Sequence, residues 1–255
     1  MTEERTFAPD DTTEDALLDG RVRLRQPRRG YRAATDPVLL AAACPARPGE
    51  AALDLGCGAG AASLCLAARI EGLALHGLEV QPRYAALARA NGAGRLTVHE
   101  GDLRAMPAAL RALSFDQVIA NPPYFDASSP ASPDAGRDRA NREEASVGEW
   151  IEAGLRRLKP GGRLTLIHRA ERLGAILAAL EGGAGDARVL PVAPRQGRAA
   201  GRVIVRARKG ARAPLRLLAP LVMHAGAAHI RDEDDFSAPA LAVLRDAQAL
   251  DLDAG

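Results

Sequence analysis

Aromatic side chains are scarce in this chain: Phe, Tyr and Trp together make up 3% of 255 residues, and Trp occurs once. A core built under that shortage rests on Leu, Val, Ile and Ala, so each aromatic that does occur carries information. Cysteine is nearly absent too. Cys44, Cys57 and Cys65 are unevenly spaced, which excludes a disulfide framework and a zinc pattern and fits a reducing cytoplasm. Lysine is confined to Lys159 and Lys209, so arginine carries almost all the positive charge. A formal net charge of only +2 does not mark a nucleic-acid partner, and the distribution of arginine must be read instead. No apolar run reaches the roughly 18 to 20 residues of a membrane span. The acidic, polar N-terminus has no signal-peptide pattern.

What is present is globular: 47% apolar and 26% charged residues, enough for one α/β core with an appendage. Residues 1–18 read as a flexible N-terminal arm. Residues 19–50 read as a hairpin and a helix lying over a ligand site, and residues 51–255 as the core with a C-terminal extension. In the hairpin, Val22, Leu24 and Gln26 alternate with Arg21, Arg23 and Arg25, Pro27 to Gly30 turns, and Tyr31 to Ala33 forms the return strand. Thr35 or Asp36 is expected to cap the following helix, with Pro37 at its first position. Six arginines within residues 21–32 form a basic patch that serves either as a solvated face or as a phosphate contact.

From Ala51 the chain reads strand, glycine turn, helix: Ala51 to Leu55, then Gly56-Cys57-Gly58-Ala59-Gly60, then an Ala- and Leu-rich segment to Arg69. Such a turn lets a ligand approach the backbone and points the free N–H groups of a helix start at it. Further strands are expected at Leu73 to Val80, Leu96 to His99, Phe115 to Ala120 and Arg163 to His168. Helices are expected at Pro82 to Asn91, between Pro107 and Leu113, at Val147 to Leu158 and at Leu173 to Leu180. A terminal strand pair follows, Val189 to Val192 with Arg202 to Ala207. Leu215 to Met223 reads as helix or strand, and Ala238 to Leu250 as helix. This alternation predicts a mostly parallel sheet covered on both faces. Residues 126–144, rich in Pro and Ser, read as a surface loop over the crevice.

Three acids fall at successive strand ends: Asp54, Glu79 and Asp102. A carboxylate there accepts hydrogen bonds without offering a competing donor, as recognition of ligand hydroxyls requires. Taken singly, each could be a cap, a solvated strand end or a turn former. Asn121-Pro122-Pro123-Tyr124 ends the fourth strand of the core. Prolines alone would only stop a strand. Asn121, however, offers an acceptor, Pro122 adds a carbonyl with no competing N–H, and Tyr124 offers a ring for stacking. Together these hold a planar amino group. The five scattered histidines give no metal-ligand cluster.

The segment Asp54-Leu55-Gly56-Cys57-Gly58-Ala59-Gly60 resembles the first motif of class I S-adenosylmethionine-dependent methyltransferases. That resemblance implies a seven-stranded, mostly parallel Rossmann-like sheet with helices on both faces and an antiparallel last strand. It implies S-adenosyl-L-methionine as cofactor, leaving as S-adenosyl-L-homocysteine. Asp54, Gly56, Cys57, Gly58 and Gly60 then face the methionine portion. Glu79, with Val80 beside it, matches the acid that binds both ribose hydroxyls, and Asp102 with Leu103 matches the adenine end.

Asn121 to Tyr124 resembles the tetrad of amino methyltransferases acting on adenine N6, guanine N2 or a release-factor glutamine amide. The tetrad implies Asn121, Pro122 and Tyr124 as catalytic residues, with Asn121 also bordering the cofactor. Release-factor enzymes carry a helical domain before the cofactor motif, whereas this chain has about fifty residues there. Its segment Gln26 to Ala41 instead resembles the corresponding part of bacterial tRNA (adenine-N6) methyltransferases, which act beside the anticodon of a valine tRNA. Thr35 and Asp36 match the pair closing the methionine end, and Gln26 approaches it. The resemblance continues through Arg142, Glu143 and Trp150, Lys159 to Gly162 and Leu221 to His224, over roughly residues 20–245.

The expectation is therefore N6-methylation of a tRNA adenine in the anticodon loop. The alternatives are another RNA base amino group (rRNA guanine N2 or adenine N6) or a protein glutamine, and, outside enzymes, an RNA-binding protein with a vestigial pocket. The expected partners are RNA, with no metal and no membrane, for a monomer or homodimer in the cytoplasm. Arg21, Arg23, Arg25, Arg28, Arg29, Arg32, Arg195, Arg198 and Arg202 are the candidate RNA footprint, with Asp232 to Asp235 lying away from it.

Overall fold

The structure, a computed structural model, describes residues 6–124, 145–226 and 235–253. The expectations for the Ser/Pro loop, Arg142, Glu143 and Asp232 to Asp234 lie outside those residues.

Strands β1 (Thr12–Leu17) and β2 (Val22–Pro27) pair antiparallel, Thr12 opposite Pro27 and Leu17 opposite Val22. The hairpin therefore closes upstream of where the sequence suggested. The supposed arm supplies its first strand, and Tyr31 to Ala33 is not a strand. Across the hairpin Glu14 lies 2.8 Å from Arg23, and Asp15 holds Arg32 of the following segment at 2.5 Å.

Helix α1 (Thr35–Ala43) is buried from Asp36 to Ala43. The core then alternates β3 (Ala51–Leu55), α2 (Ala61–Arg69), β4 (Ala74–Glu79), α3 (Pro82–Gly92), β5 (Leu96–Glu100), α4 (Ala108–Arg111) and β6 (Phe115–Ala120). After residue 144 come α5 (Val147–Arg157), β7 (Leu158–Arg169), α6 (Leu173–Leu180), β8 (Ala184–Ala193) and β9 (Arg202–Lys209). Helix α5 opens with a capping box, Ser146 and Glu149 satisfying each other's backbone N–H groups.

The seven long strands lie in the order β8-β9-β7-β6-β3-β4-β5. All run parallel except β9, which is antiparallel to both β7 and β8. That is the expected α/β class with an antiparallel last strand. Two short strands, β10 (Arg216–Leu217) and β11 (Leu221–Val222), add parallel pairing along β8, so the sheet counts nine strands among the described residues rather than seven. Pro214 and Pro220 break up that stretch and decide between helix and strand there. The last helix, α7 (Ala238–Leu244), is shorter than expected; the chain turns back and Leu250 N–H donates to the Ala42 carbonyl at 2.9 Å.

β7 also differs from expectation. Lys159 to Gly162 belongs to the strand as a wide bulge: Phe115 pairs Leu158 and Gln117 pairs Arg163, so five steps oppose two.

Central strands buried on both faces need apolar side chains on both. In β3, Leu53 and Leu55 enter the core under α5 and α6, while Ala52 joins the core under α1 and α2. Asp54 lies on the Ala52 face, buried, at the point where a single acid can reach the turn above it.

Candidate active site

β3 has β4 on one side and β6 on the other, so the chain reverses direction of progress across the sheet at this strand. Crevices open at such switch points, beyond the carboxyl ends of parallel strands. The register places Leu55 beside both Leu78 and Ala120. The glycine turn, Glu79 and Asn121 thus emerge side by side.

The turn closes on its own backbone, Gly60 N–H donating to the Cys57 carbonyl at 2.8 Å and Cys57 N–H to Leu78 at 3.0 Å. Gly60 precedes α2 with φ +90° and no side-chain cap, which leaves the first N–H groups of that helix open. Gly56 has φ +66°, and a Cβ there would lie 2.4 Å from the Trp150 ring. The lone tryptophan therefore forms the wall behind the turn, and only glycine fits against it.

The Asp54 carboxylate is buried and accepts from the Ser63 hydroxyl at 2.8 Å. Burial raises it to about 7, against the hydrogen bonds from Ser63 and with a contribution from Glu79. Glu79 accepts from Gln81 N–H at 2.8 Å and Gly58 N–H at 2.9 Å, one to each oxygen. Burial pushes it up, while those backbone donors hold it down. Val80, beside it, is 57% exposed. Asp102 caps the short turn Leu103–Ala105 and pairs with Arg104 at 2.6 Å; that pairing, first among the causes, holds its carboxyl below the usual range. Leu103 is half-buried beside it.

On the β6 side, Asn121 is half-buried and Pro122 buried. Asn121 Nδ2 donates to the Tyr31 hydroxyl at 3.1 Å. The Tyr124 hydroxyl donates to Asp36 at 2.5 Å, and the Arg202 guanidinium meets the same carboxylate at 2.7 Å. Burial and then Asp36 drive the Tyr124 phenol far above its usual range. The His168 ring stands edge-on to Tyr124, centroids 5.3 Å apart. Arg169 N–H donates to His168 Nδ1 at 2.8 Å, so the neutral ring carries its proton on Nε2. Burial, then Arg172 and Arg169, lower its basicity.

Two expected residues stand elsewhere in the scheme. Asp36 does not cap α1. The N-cap is Ala34 without a side-chain bond, because the Asp36 carboxylate is taken by Tyr124 and Arg202. Thr35 opens the helix instead. Gln26 is bound within the protein. It is 2% exposed, and its amide is tied to the Ala33 N–H at 2.7 Å, the Ala33 carbonyl at 3.2 Å and Asp15 at 2.9 Å, so it fastens the 31–34 strap from below.

Most of the arginines assigned to an RNA footprint have partners within the protein. Arg23 pairs with Glu14, Arg32 with Asp15, Arg195 with Asp235 and Arg202 with Asp36. Arg28 donates to the Asp10 carbonyl, and Arg21 to the carbonyls of Leu18 and Arg245.

The profile of the methyltransferase small domain family matches residues 34–177, from the end of the strap into α6. The chain belongs to this family. A tRNA1(Val) (adenine(37)-N6)-methyltransferase of Porphyromonas gingivalis is 36% identical over 157 residues, 56% of this chain and 60% of that protein. One of Actinobacillus succinogenes is 30% identical over 158 residues, 60% of this chain and 66% of that protein. The matched stretch thus spans about three-fifths of those curated relatives' own length. Among solved structures, a predicted O-methyltransferase from Agrobacterium tumefaciens superposes with a TM-score of 0.69 at 29% identity, over 84% of this chain and 98% of that one. The protein SMU.776, solved with SAH, has the same fold with a TM-score of 0.53 at 17% identity, over 80% of this chain and 57% of that one.

The methyltransferase small domain of this chain draws on residues that motif spacing did not single out. Tyr31 lies along the glycine turn, its ring 3.6 Å from where a Gly58 Cβ would stand, and Tyr84 donates to the Tyr31 carbonyl at 3.0 Å. Tyr31 and Tyr124 stand at the crevice, Tyr84 fastens Tyr31 from the core, and the only tryptophan backs the glycine turn. The scarcity of aromatics was the signal that could have found them.

Proposed function

We propose that the chain transfers a methyl group from S-adenosylmethionine to the exocyclic N6 of an adenine in tRNA, in the anticodon loop, in the cytoplasm. The observation that carries this reading is the Asn121-Pro122 pair at the end of β6, beside the glycine turn of β3. The residues present fit the cofactor. Glu79 keeps further lone pairs beyond its two backbone bonds, enough for two ribose hydroxyls. Asp54 is a buried carboxylate with a hydroxyl partner, and an ammonium group would stabilise its ionised form. Val80 offers an exposed apolar surface for a flat ring. When bound, the cofactor supplies an electrophilic methyl on a sulfonium.

The chain's own task is to hold a weak nucleophile. The Asn121 Oδ1 and the Pro122 carbonyl accept the two hydrogens of a planar amino group, fixing the nitrogen in line for attack. As the nitrogen gains the methyl and becomes cationic, its proton becomes acidic and leaves to water. A strong base is not required. An oxygen acceptor would need one to take its proton, and the His168 ring beside the tetrad presents a protonated Nε2 instead. That favours nitrogen over oxygen. The names of the curated relatives, at 30 to 36% identity, support adenine and tRNA.

Tritiated methyl transfer to unmodified tRNA, followed by nucleoside analysis, tests the reading. N6-methyladenosine should appear and be nearly lost on Asn121→Ala with cofactor binding kept. Labelling of a release factor in place of tRNA would overturn it.

A further inference from the structure

The strap between the hairpin and α1 is fastened at Ala33, Arg32 and the Tyr31 carbonyl, and leaves the Tyr31 side chain over the crevice. Gln26 holds Ala33 through both of its backbone groups. Arg32 is bound to Asp15, Thr13 and the Pro27 carbonyl. The Tyr31 carbonyl is held by the Tyr84 hydroxyl, and a Cβ on Gly30 would lie 2.9 Å from that same hydroxyl, at a φ of +106°. The Tyr31 side chain is 54% exposed, in a chain that buries most of its large apolar groups. Its ring lies along Gly58 and its hydroxyl reaches Asn121 Nδ2 at 3.1 Å. It therefore spans the two walls of the crevice, glycine turn on one side and tetrad on the other.

A primary amide rotated by half a turn exchanges its oxygen for its nitrogen, and only one orientation can accept a hydrogen bond from an amine. The Asn121 amide has its Nδ2 occupied by a hydroxyl oxygen, which leaves Oδ1 as the open acceptor. We infer that Tyr31 is a positioning residue for methyl transfer: by accepting from Asn121 Nδ2 it fixes the amide with Oδ1 toward the incoming amino group. This rests on the amino-transfer reading above.

Tyr31→Phe keeps the ring and deletes the hydroxyl. The experiment combines steady-state methylation of tRNA, the dissociation constant of S-adenosylhomocysteine, thermal unfolding, and the side-chain amide resonances of Asn121 in 15N-labelled protein. The expected result is a roughly tenfold fall in kcat, the scale of one lost hydrogen bond at a reacting group, with KM for tRNA, homocysteine-analogue affinity and Tm all unchanged. The Asn121 amide resonances, assigned by their loss in Asn121→Ala, should shift and narrow toward those of a freely rotating amide. An unchanged kcat, or a fall in Tm in step with kcat, would overturn the inference, since the tyrosine would then serve only the strap. Should wild-type protein methylate no RNA, the functional reading fails. The amide resonances would still decide whether Tyr31 orients Asn121.

Discussion

Arg202 and Asp36 meet at 2.7 Å although 166 positions separate them. The contact links the start of the antiparallel strand β9 to the first turn of α1, and Asp36 in turn accepts the Tyr124 hydroxyl. The tetrad's aromatic is thereby fixed by two distant segments of the chain. Arg202→Gln leaves a largely buried carboxylate with the phenol as its remaining partner. It should cost about 1 to 3 kcal/mol in denaturant unfolding, the range for a charged hydrogen bond left unpaired. It should also lower methyl transfer at least tenfold, with Arg202→Lys intermediate. Equal stability and turnover in Arg202→Gln would show that the pair orders nothing.

With Asp54 at the ligand, affinity should depend on pH. Its carboxyl titrates at about 7 in the empty site, because burial opposes the charge. An ammonium group on the ligand favours the ionised form, so binding releases a proton. Affinity then rises with pH and levels off above 7. Titration calorimetry with S-adenosylhomocysteine should give binding about tenfold weaker at pH 6 than at pH 8, the factor of a single group with that pKa. Asp54→Asn should bind weakly and without that slope. A flat profile for the wild type would refute the assignment.

The same shift has the opposite sign for folding. The folded chain holds the Asp54 proton up to about pH 7, while an unfolded aspartate releases it near 3.8. The contribution of Asp54 to stability therefore falls as pH rises between those values and is constant above them. Asp54→Asn, which keeps an acceptor for Ser63, should gain on the wild type in Tm from pH 4 to pH 7. A gap that narrows over this range would contradict the buried charge.

Motif-bearing strand ends were legible because each is a local pattern: an apolar run, a glycine turn or an acid at a fixed step, read within ten residues. The glycine turn, Glu79 and Asn121 do converge at one switch point. The strap was not legible. Tyr31 looked like part of a return strand, since nothing local says that the partner of the arginine-rich strand lies upstream, in a segment that reads as a polar arm. The pairing of Thr12–Leu17 with Val22–Pro27 is a tertiary fact. The partners that Gln26 and Asp36 find within the protein, Ala33 and Arg202, are visible only in three dimensions.

Glu79 presents one oxygen to each of two backbone N–H groups. Glu79→Gln turns one of those oxygens into an NH2 group that faces a donor. The variant should lose about 1 to 3 kcal/mol of stability through the unpaired backbone group, besides losing an acceptor for the ligand. Glu79→Ala leaves two such groups and should lose more. Calorimetric unfolding without ligand separates this from a pure binding defect. A Glu79→Gln protein as stable as the wild type would mean the turn closes without the carboxylate.

Gly56 and Trp150 supply the sharpest test of the turn. Alanine at Gly56 meets two barriers: a φ of +66°, and a Trp150 ring atom 2.4 Å from its Cβ. The first costs about 1 kcal/mol whatever surrounds it. The second is relieved only by moving the indole, which adds about 1 to 3 kcal/mol of overpacking. Gly56→Ala alone should therefore lose about 2 to 4 kcal/mol, and the emission of the only tryptophan should shift as the ring is displaced. In a Trp150→Phe background the outer atoms of the indole are gone, and the same substitution should lose only about 1 kcal/mol. Residues in contact are expected to be non-additive in this way. Equal losses in both backgrounds would mean that backbone strain alone reserves the position for glycine, with the tryptophan a bystander.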